Sequence, residues 1–98
     1  MTLPVAYLSE AQDDIDAAHT AYEGRSAGLG DRFLDAIREV IGRIEANPAL
    51  YGVIYKDVRA APLHRFPHVV YYRVLSDKIL VLAVQHGGRR SRFWRGRI

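Results

Sequence analysis

Val69-Val70-Tyr71-Tyr72-Arg73-Val74-Leu75-Ser76-Asp77-Lys78-Ile79-Leu80-Val81-Leu82-Ala83-Val84 is the stretch on which the fold turns. Two runs rich in β-branched and aromatic residues flank Ser76-Asp77-Lys78, a polar turn sequence, so the segment predicts a β-hairpin. The second run is apolar at every position. A strand of that kind belongs in a sheet interior, with both faces covered.

The residues upstream supply one cover. Leu29, Phe33, Ile37, Val40, Ile41 and Ile44 recur at helical spacing and stop at Asn47-Pro48, which predicts an amphipathic helix. Its internal Gly42 costs about 1 kcal/mol relative to alanine and suggests close packing against a neighbouring helix. Before it, Leu8, Ala11, Ile15, Ala18 and Tyr22 form a narrower stripe on an acidic segment. Ser9 and Gln12 have capping-box spacing, and Gly24 marks the stop, with Gly24-Arg25-Ser26-Ala27-Gly28 as the link. Two helices so joined pack as an antiparallel hairpin.

Val5 to Leu8 reads as a short opening strand, while Val53-Ile54-Tyr55 and Val58-Arg59-Ala60-Ala61 are strand pieces broken by Lys56-Asp57. Pro62 and Pro67 bracket a loop. The expected order is β-α-α-β-β-β: an α+β fold with an N-terminal helical hairpin packed on a small, mostly antiparallel sheet and a basic C-terminal tail.

Ninety-eight residues hold one core, so residues 1–98 are read as a single domain. Hydrophobic residues at 49% and charged residues at 26% exclude wholesale disorder and low-complexity chains. Neither a bilayer-spanning apolar run nor a signal-peptide pattern is present in the sequence, and there are no cysteines, so a soluble, cytoplasmic protein without disulfides is expected, with no membrane partner.

The net charge of +3 conceals a strong polarity. Residues 1–57 carry five basic and ten acidic residues, a balance of −5, whereas residues 58–98 carry nine basic residues and one acid, a balance of +8. Such a basic half attracts anionic partners, either nucleic acid or an acidic protein segment. The charge is densest in Gln85-His86-Gly87-Gly88-Arg89-Arg90-Ser91-Arg92-Phe93-Trp94-Arg95-Gly96-Arg97-Ile98.

Three blocks of this sequence carry a family likeness. They are Gly28-Leu29-Gly30-Asp31-Arg32-Phe33-Leu34 through Ile44-Glu45-Ala46-Asn47-Pro48; Arg65-Phe66-Pro67-His68-Val69-Val70-Tyr71-Tyr72-Arg73-Val74; and Ala83-Val84 followed by His86, Arg89, Arg90 and Trp94. In order and spacing the chain resembles the ParE branch of the RelE/ParE toxin superfamily, the toxic halves of bacterial type II toxin–antitoxin pairs. The resemblance implies a cytoplasmic toxin that causes growth arrest, belongs to the plasmid-stabilisation type of system and is neutralised by a cognate ParD-like antitoxin in a hetero-oligomer. ParE-type toxins poison DNA gyrase; RelE-type toxins cut messenger RNA on the ribosome. Ribosome-dependent members resemble one another in a C-terminal tyrosine or histidine working with basic residues. Here that segment holds Phe93 and Trp94, and no tyrosine lies beyond Tyr72, a departure that favours binding over RNA cleavage.

The expected target-binding residues are therefore His86, Arg89, Arg90, Arg92, Trp94 and Arg95, weighed against a solvated, frayed C-terminus. Trp94 and Phe93 read as contact anchors or as packing that tucks the tail onto the sheet, with Trp94 given mainly the packing role. His86, at a strand end, suits proton transfer near neutral pH or a plain hydrogen bond to backbone. If the protein is a ribonuclease, His86 and Arg89 act with Arg59 or Arg73 on the phosphate; the alternative for Arg73 is a cross-strand salt bridge. His68, where many relatives carry another aromatic, is assigned to the core. Pro67 separates His64 from His68, the serines form no triad pattern and no glycine-rich phosphate loop follows a strand, so neither a metal nor a cofactor is expected. Glu10, Asp13, Asp14 and Asp16 read as a solvated helix start. A binding module that engages only the antitoxin is the third possibility.

Overall fold

The computed structural model describes residues 2–87 and 92–98, with Arg92 and Phe93 as backbone only. The elements are β1 (Val5–Tyr7), α1 (Ser9–Arg25), α2 (Leu29–Ala46), β2 (Val53–Tyr55), β3 (Val58–Pro62), β4 (His68–Val74), β5 (Ile79–His86) and a short α3 (Arg92–Arg95). The five strands form one sheet in the order β1-β5-β4-β3-β2, with β1 parallel to β5 and all other pairs antiparallel. This is the expected α+β architecture. Four strands follow the helices because Lys56-Asp57 is a tight turn, with Lys56 at φ 50°, that folds β2 back onto β3.

β5 occupies the sheet interior, between β1 and β4, as its uninterrupted apolar run requires. Ile79, Val81 and Val84 face the helices and join Phe33, Ile37, Val40, Ile41 and Ile44 of α2 with Ala11 and Ile15 of α1 in the larger core. Leu82 and Ala83 face the other way, into a second core with Val58, Tyr71 and Trp94. Consecutive residues share that face because the register slips: Tyr71 pairs with Ala83 and Tyr72 with Val81, leaving Leu82 as an extra residue in a β-bulge. An apolar string reads the same with or without a bulge, so this kink was invisible in the sequence.

Three local expectations are corrected. The capping box does not form: Leu8 is the N-cap, because its N–H still extends the sheet by donating to Val81 O at 3.0 Å, and Ser9 Oγ donates instead to Glu10 Oε1. α1 passes through Gly24 and ends at Arg25, so the link to α2 is only Ser26–Gly28, with Gly28 at φ 86° as the N-cap of α2. Glu23 of α1 caps that helix, accepting the N–H groups of Gly30 at 2.8 Å, Gly28 at 3.2 Å and Asp31 at 3.3 Å. Finally, Gly42 is not the close-packing glycine; it is exposed, with space around it. Gly30 fills that role: a Cβ there would lie 2.7 Å from His19 O and 2.6 Å from Glu23 Cγ. Among the described residues, no helix is long and apolar enough to cross a membrane.

Candidate target-binding surface

The C-terminal segment is held against the sheet at both ends of its described parts. At one end Gly87 N–H donates to Pro67 O at 2.7 Å, in a backbone approach so close that a Cβ would sit 3.2 Å from that oxygen. At the other, α3 lies on the second core through Trp94, which is 1% exposed. Its indole stacks on Tyr71 (centroids 5.0 Å apart, planes 26°) and meets Tyr55 edge-on at 5.9 Å. Trp94, expected in the target-binding set, is therefore a core residue, and the packing alternative describes it. The apolar face of β5 needed a cover that the helical hairpin could not supply, and Trp94 supplies it.

Arg95 points outward. It is exposed, and its guanidinium carbon lies 4.1 Å from the centre of the Tyr55 ring; Lys56 Nζ lies 5.5 Å from the same ring. These two cations flank one aromatic beside the exposed Val53 and Ile54 of the edge strand β2. Arg89 and Arg90 lie outside the described residues, as does the side chain of Arg92.

Arg97 completes the attachment. β1 stops at Tyr7, so the next polar groups of β5 have no strand to bond on that side; Leu82 O accepts from Arg97 Nη1 at 3.1 Å and Val84 N–H donates to Asp14 Oδ2 at 3.1 Å. Arg97 and Asp14 also pair with each other, Nη1 to Oδ2 at 2.6 Å and Nη2 to Oδ1 at 3.4 Å, with both side chains more than four-fifths buried. Asp14 is thus no part of a solvated acidic patch, and its role was missed. The signal was there: Asp14 stands three residues after Ala11 and four before Ala18, on the border of the apolar stripe.

His86 is exposed at the end of β5, opposite His68 of β4, with the imidazole centroids 6.0 Å apart. His68 packs among Phe33 at 5.0 Å and Tyr22 at 5.8 Å, in keeping with its assignment to the core. The two histidines border a cleft of about 250 Å3 shared with Asp14, Ala17, Ala18, Val84 and Gln85.

Arg59 and Arg73 do not join His86. Arg59 is registered against Tyr72, which is registered against Val81, five residues along β5 from His86 and so about 15 Å away along the strand. Its guanidinium donates to Tyr51 O at 2.7 Å and Ala49 O at 3.4 Å, fixing the chain that leaves α2. Tyr72 assists by donating its hydroxyl to Pro48 O at 2.8 Å. Arg73 follows Tyr72 and projects to the opposite face, where its Nε lies 3.0 Å from both oxygens of Asp57. That ion pair lowers the carboxyl pKa of Asp57, chiefly through the hydrogen bonds from Arg73. The salt-bridge alternative for Arg73 is the one observed.

Two other features complete the surface. His19, Glu23 and Asp31 bring ligand-type atoms within 4.8 Å of one another, but Glu23 is occupied by the N-terminus of α2 and His19 Nε2 lies 3.2 Å from Asp31 Oδ1. The cluster is a helix cap. A groove of about 540 Å3 runs between α2 and the β3–β4 loop, lined by Arg32, Asp35, Glu39, His64, Arg65 and Phe66 among others.

Comparison with known proteins bears on the chain as a whole. A sequence model described as "ParE toxin of type II toxin-antitoxin system, parDE" matches residues 5–91. Over 91 residues the chain is 30% identical to Toxin ParE2 of Mycobacterium tuberculosis, covering 89% of this chain and 84% of that protein. Its fold is similar to a chain of the chromosomal ParDE system from P. aeruginosa, with a TM-score of 0.65 at 18% identity over 87% of this chain and 96% of the other. It is also similar to a chain of the toxin–antitoxin complex RelBE2 from Mycobacterium tuberculosis, with a TM-score of 0.62 at 18% identity over 88% and 99%.

Proposed function

Given that the chain belongs to the ParE toxin family of type II toxin–antitoxin systems, we propose that it acts in the cytoplasm by binding DNA gyrase and that a ParD-like antitoxin neutralises it. The observation that carries this reading is the commitment of Arg59 to backbone carbonyls and of Arg73 to Asp57, far from His86. Two of the cations that phosphate cleavage would draw on are structural. The tail meanwhile presents Arg95 outward next to the buried Trp94, an arrangement suited to docking. Target contact is assigned to Arg95 and His86 together with Arg89, Arg90 and Arg92. Purified toxin is expected to inhibit supercoiling by gyrase, and normal supercoiling at saturating toxin overturns the proposal.

One observation favours ribosome-dependent cleavage of messenger RNA as the second reading: His86 is solvent-exposed at the mouth of a cleft that also holds His68. Cuts in translated messages that vanish with His86→Ala would establish it.

The antitoxin is placed on the edge strand β2. Leu50, Val53 and Ile54 are each at least half exposed there, an apolar edge that invites strand addition, and Lys56 beside it favours an acidic segment.

A further inference from the structure

We infer that Asp14 and Arg97 are positioning residues: their ion pair is a clasp that holds α3 on the sheet and thereby sets the direction in which Arg95 meets the target. The inference rests on the assignment of the tail to target binding. Three observations support it. The pair joins residues 83 positions apart and ties the tail to α1, the element remote from it in sequence. Each partner also satisfies a backbone group of β5 beside the bulge, so loss of the Arg97 guanidinium leaves Leu82 O unbonded and loss of an acceptor at position 14 leaves Val84 N–H unbonded. And α3 is a single turn of four residues, too short to hold its own conformation in water. Its shape is borrowed from Trp94 on one side and from the clasp on the other.

The chemistry of the pair narrows which substitutions work. Arg97 uses one guanidinium nitrogen for both Leu82 O and Asp14 Oδ2 and a second for Asp14 Oδ1, a fork that lysine reproduces only in part. Asparagine at position 14 can still accept from Val84 N–H but lacks the charge that draws in the guanidinium.

Trp94 is the only tryptophan, so its fluorescence reports docking of the tail directly. The test compares wild type, Arg97→Ala, Arg97→Lys, Asp14→Asn and the double variant by acrylamide quenching, by antitoxin binding and by growth arrest at matched expression. Arg97→Ala is expected to raise quenching severalfold and to weaken arrest roughly tenfold, the value of one charge-assisted bond, with antitoxin binding retained. Arg97→Lys recovers part of both losses, and the double variant is no worse than either single one. Unchanged quenching in Arg97→Ala overturns the clasp, and so does raised quenching with full arrest. Loss of antitoxin binding in Arg97→Ala together with arrest overturns a role specific to the tail. A wild-type protein that arrests growth but leaves gyrase untouched overturns only the choice of gyrase, because quenching and arrest test the clasp on any target.

Discussion

Trp94 lies nearly parallel on Tyr71, and both rings are buried although one belongs to the tail and the other to the central sheet. The second core exists because of this pair. Replacing Trp94 by alanine is expected to cost about 3 kcal/mol, by loss of buried apolar surface and the cavity left between Tyr55, Tyr71 and Leu82. Urea unfolding followed by far-UV circular dichroism measures it, and Trp94→Phe should recover roughly half the loss.

The two glycines of α2 should respond in opposite directions. Gly30→Ala drives a methyl group into His19 O and the Glu23 side chain, so the helical hairpin must splay, at a cost of about 1–3 kcal/mol. Gly42→Ala meets nothing within 4 Å on an exposed helix face and should stabilise by about 0.5–1 kcal/mol. Melting temperatures of the pair, measured together, decide which glycine is structural.

Burial raises the pKa of the Tyr71 and Tyr72 hydroxyls above the ordinary 10.0. A raised pKa in the folded state means stability that is whole below the unfolded value and is lost as pH climbs toward the folded one. The protein should therefore lose melting temperature steeply above pH 10, more steeply than Tyr72→Phe does. At neutral pH the same substitution removes the hydrogen bond to Pro48 O and should cost about 1 kcal/mol.

Asp57 titrates in the other sense. Its carboxyl pKa is lowered by Arg73, so the interaction is present above the unfolded value and fades as pH falls through the folded one. The Asp57 carboxyl is half exposed, so solvent screens the pair and the effect on overall stability should be small. The clearer measurement is the carboxyl resonance of Asp57 by NMR, which should titrate at higher pH in Arg73→Met than in wild type.

Substitution of Ile54 by lysine leaves an exposed edge residue exposed and should change melting by less than about 0.5 kcal/mol. Antitoxin affinity should fall at least about tenfold, because the apolar edge is replaced by a charge of the kind that blocks strand addition. Thermal melting checks the first half and titration calorimetry with the antitoxin the second, and equal affinity would move the dock away from β2.

The central layers were legible because hydrophobic spacing determines them: the stripe of α2, the β4–β5 hairpin and the double-sided burial of β5 all follow from periods of 3.6 and 2. Features set by chain crossings were not. Asp14 and Arg97 lie at opposite ends of the sequence, and no local pattern links them. The convergence of Arg59, Arg73 and His86 was open for the same reason, and strand register decides against it. Trp94 was legible as an aromatic in need of a surface, but which surface depended on a bulge that apolar residues conceal.

The parallel pairing of β1 with β5 imposes an order on assembly. Val5, Ala6 and Tyr7 find their partners only at Ile79, Leu80 and Val81, and the strand that unites the sheet is the last of the five to be synthesised. A nascent chain can form its helical hairpin early, but the sheet and then the tail must wait for residues that leave the ribosome late. If the tail meets the target and β2 the antitoxin, as proposed above, the target-binding surface is completed only after the β2 edge has emerged, which leaves an antitoxin already present in the cell time to reach that edge first.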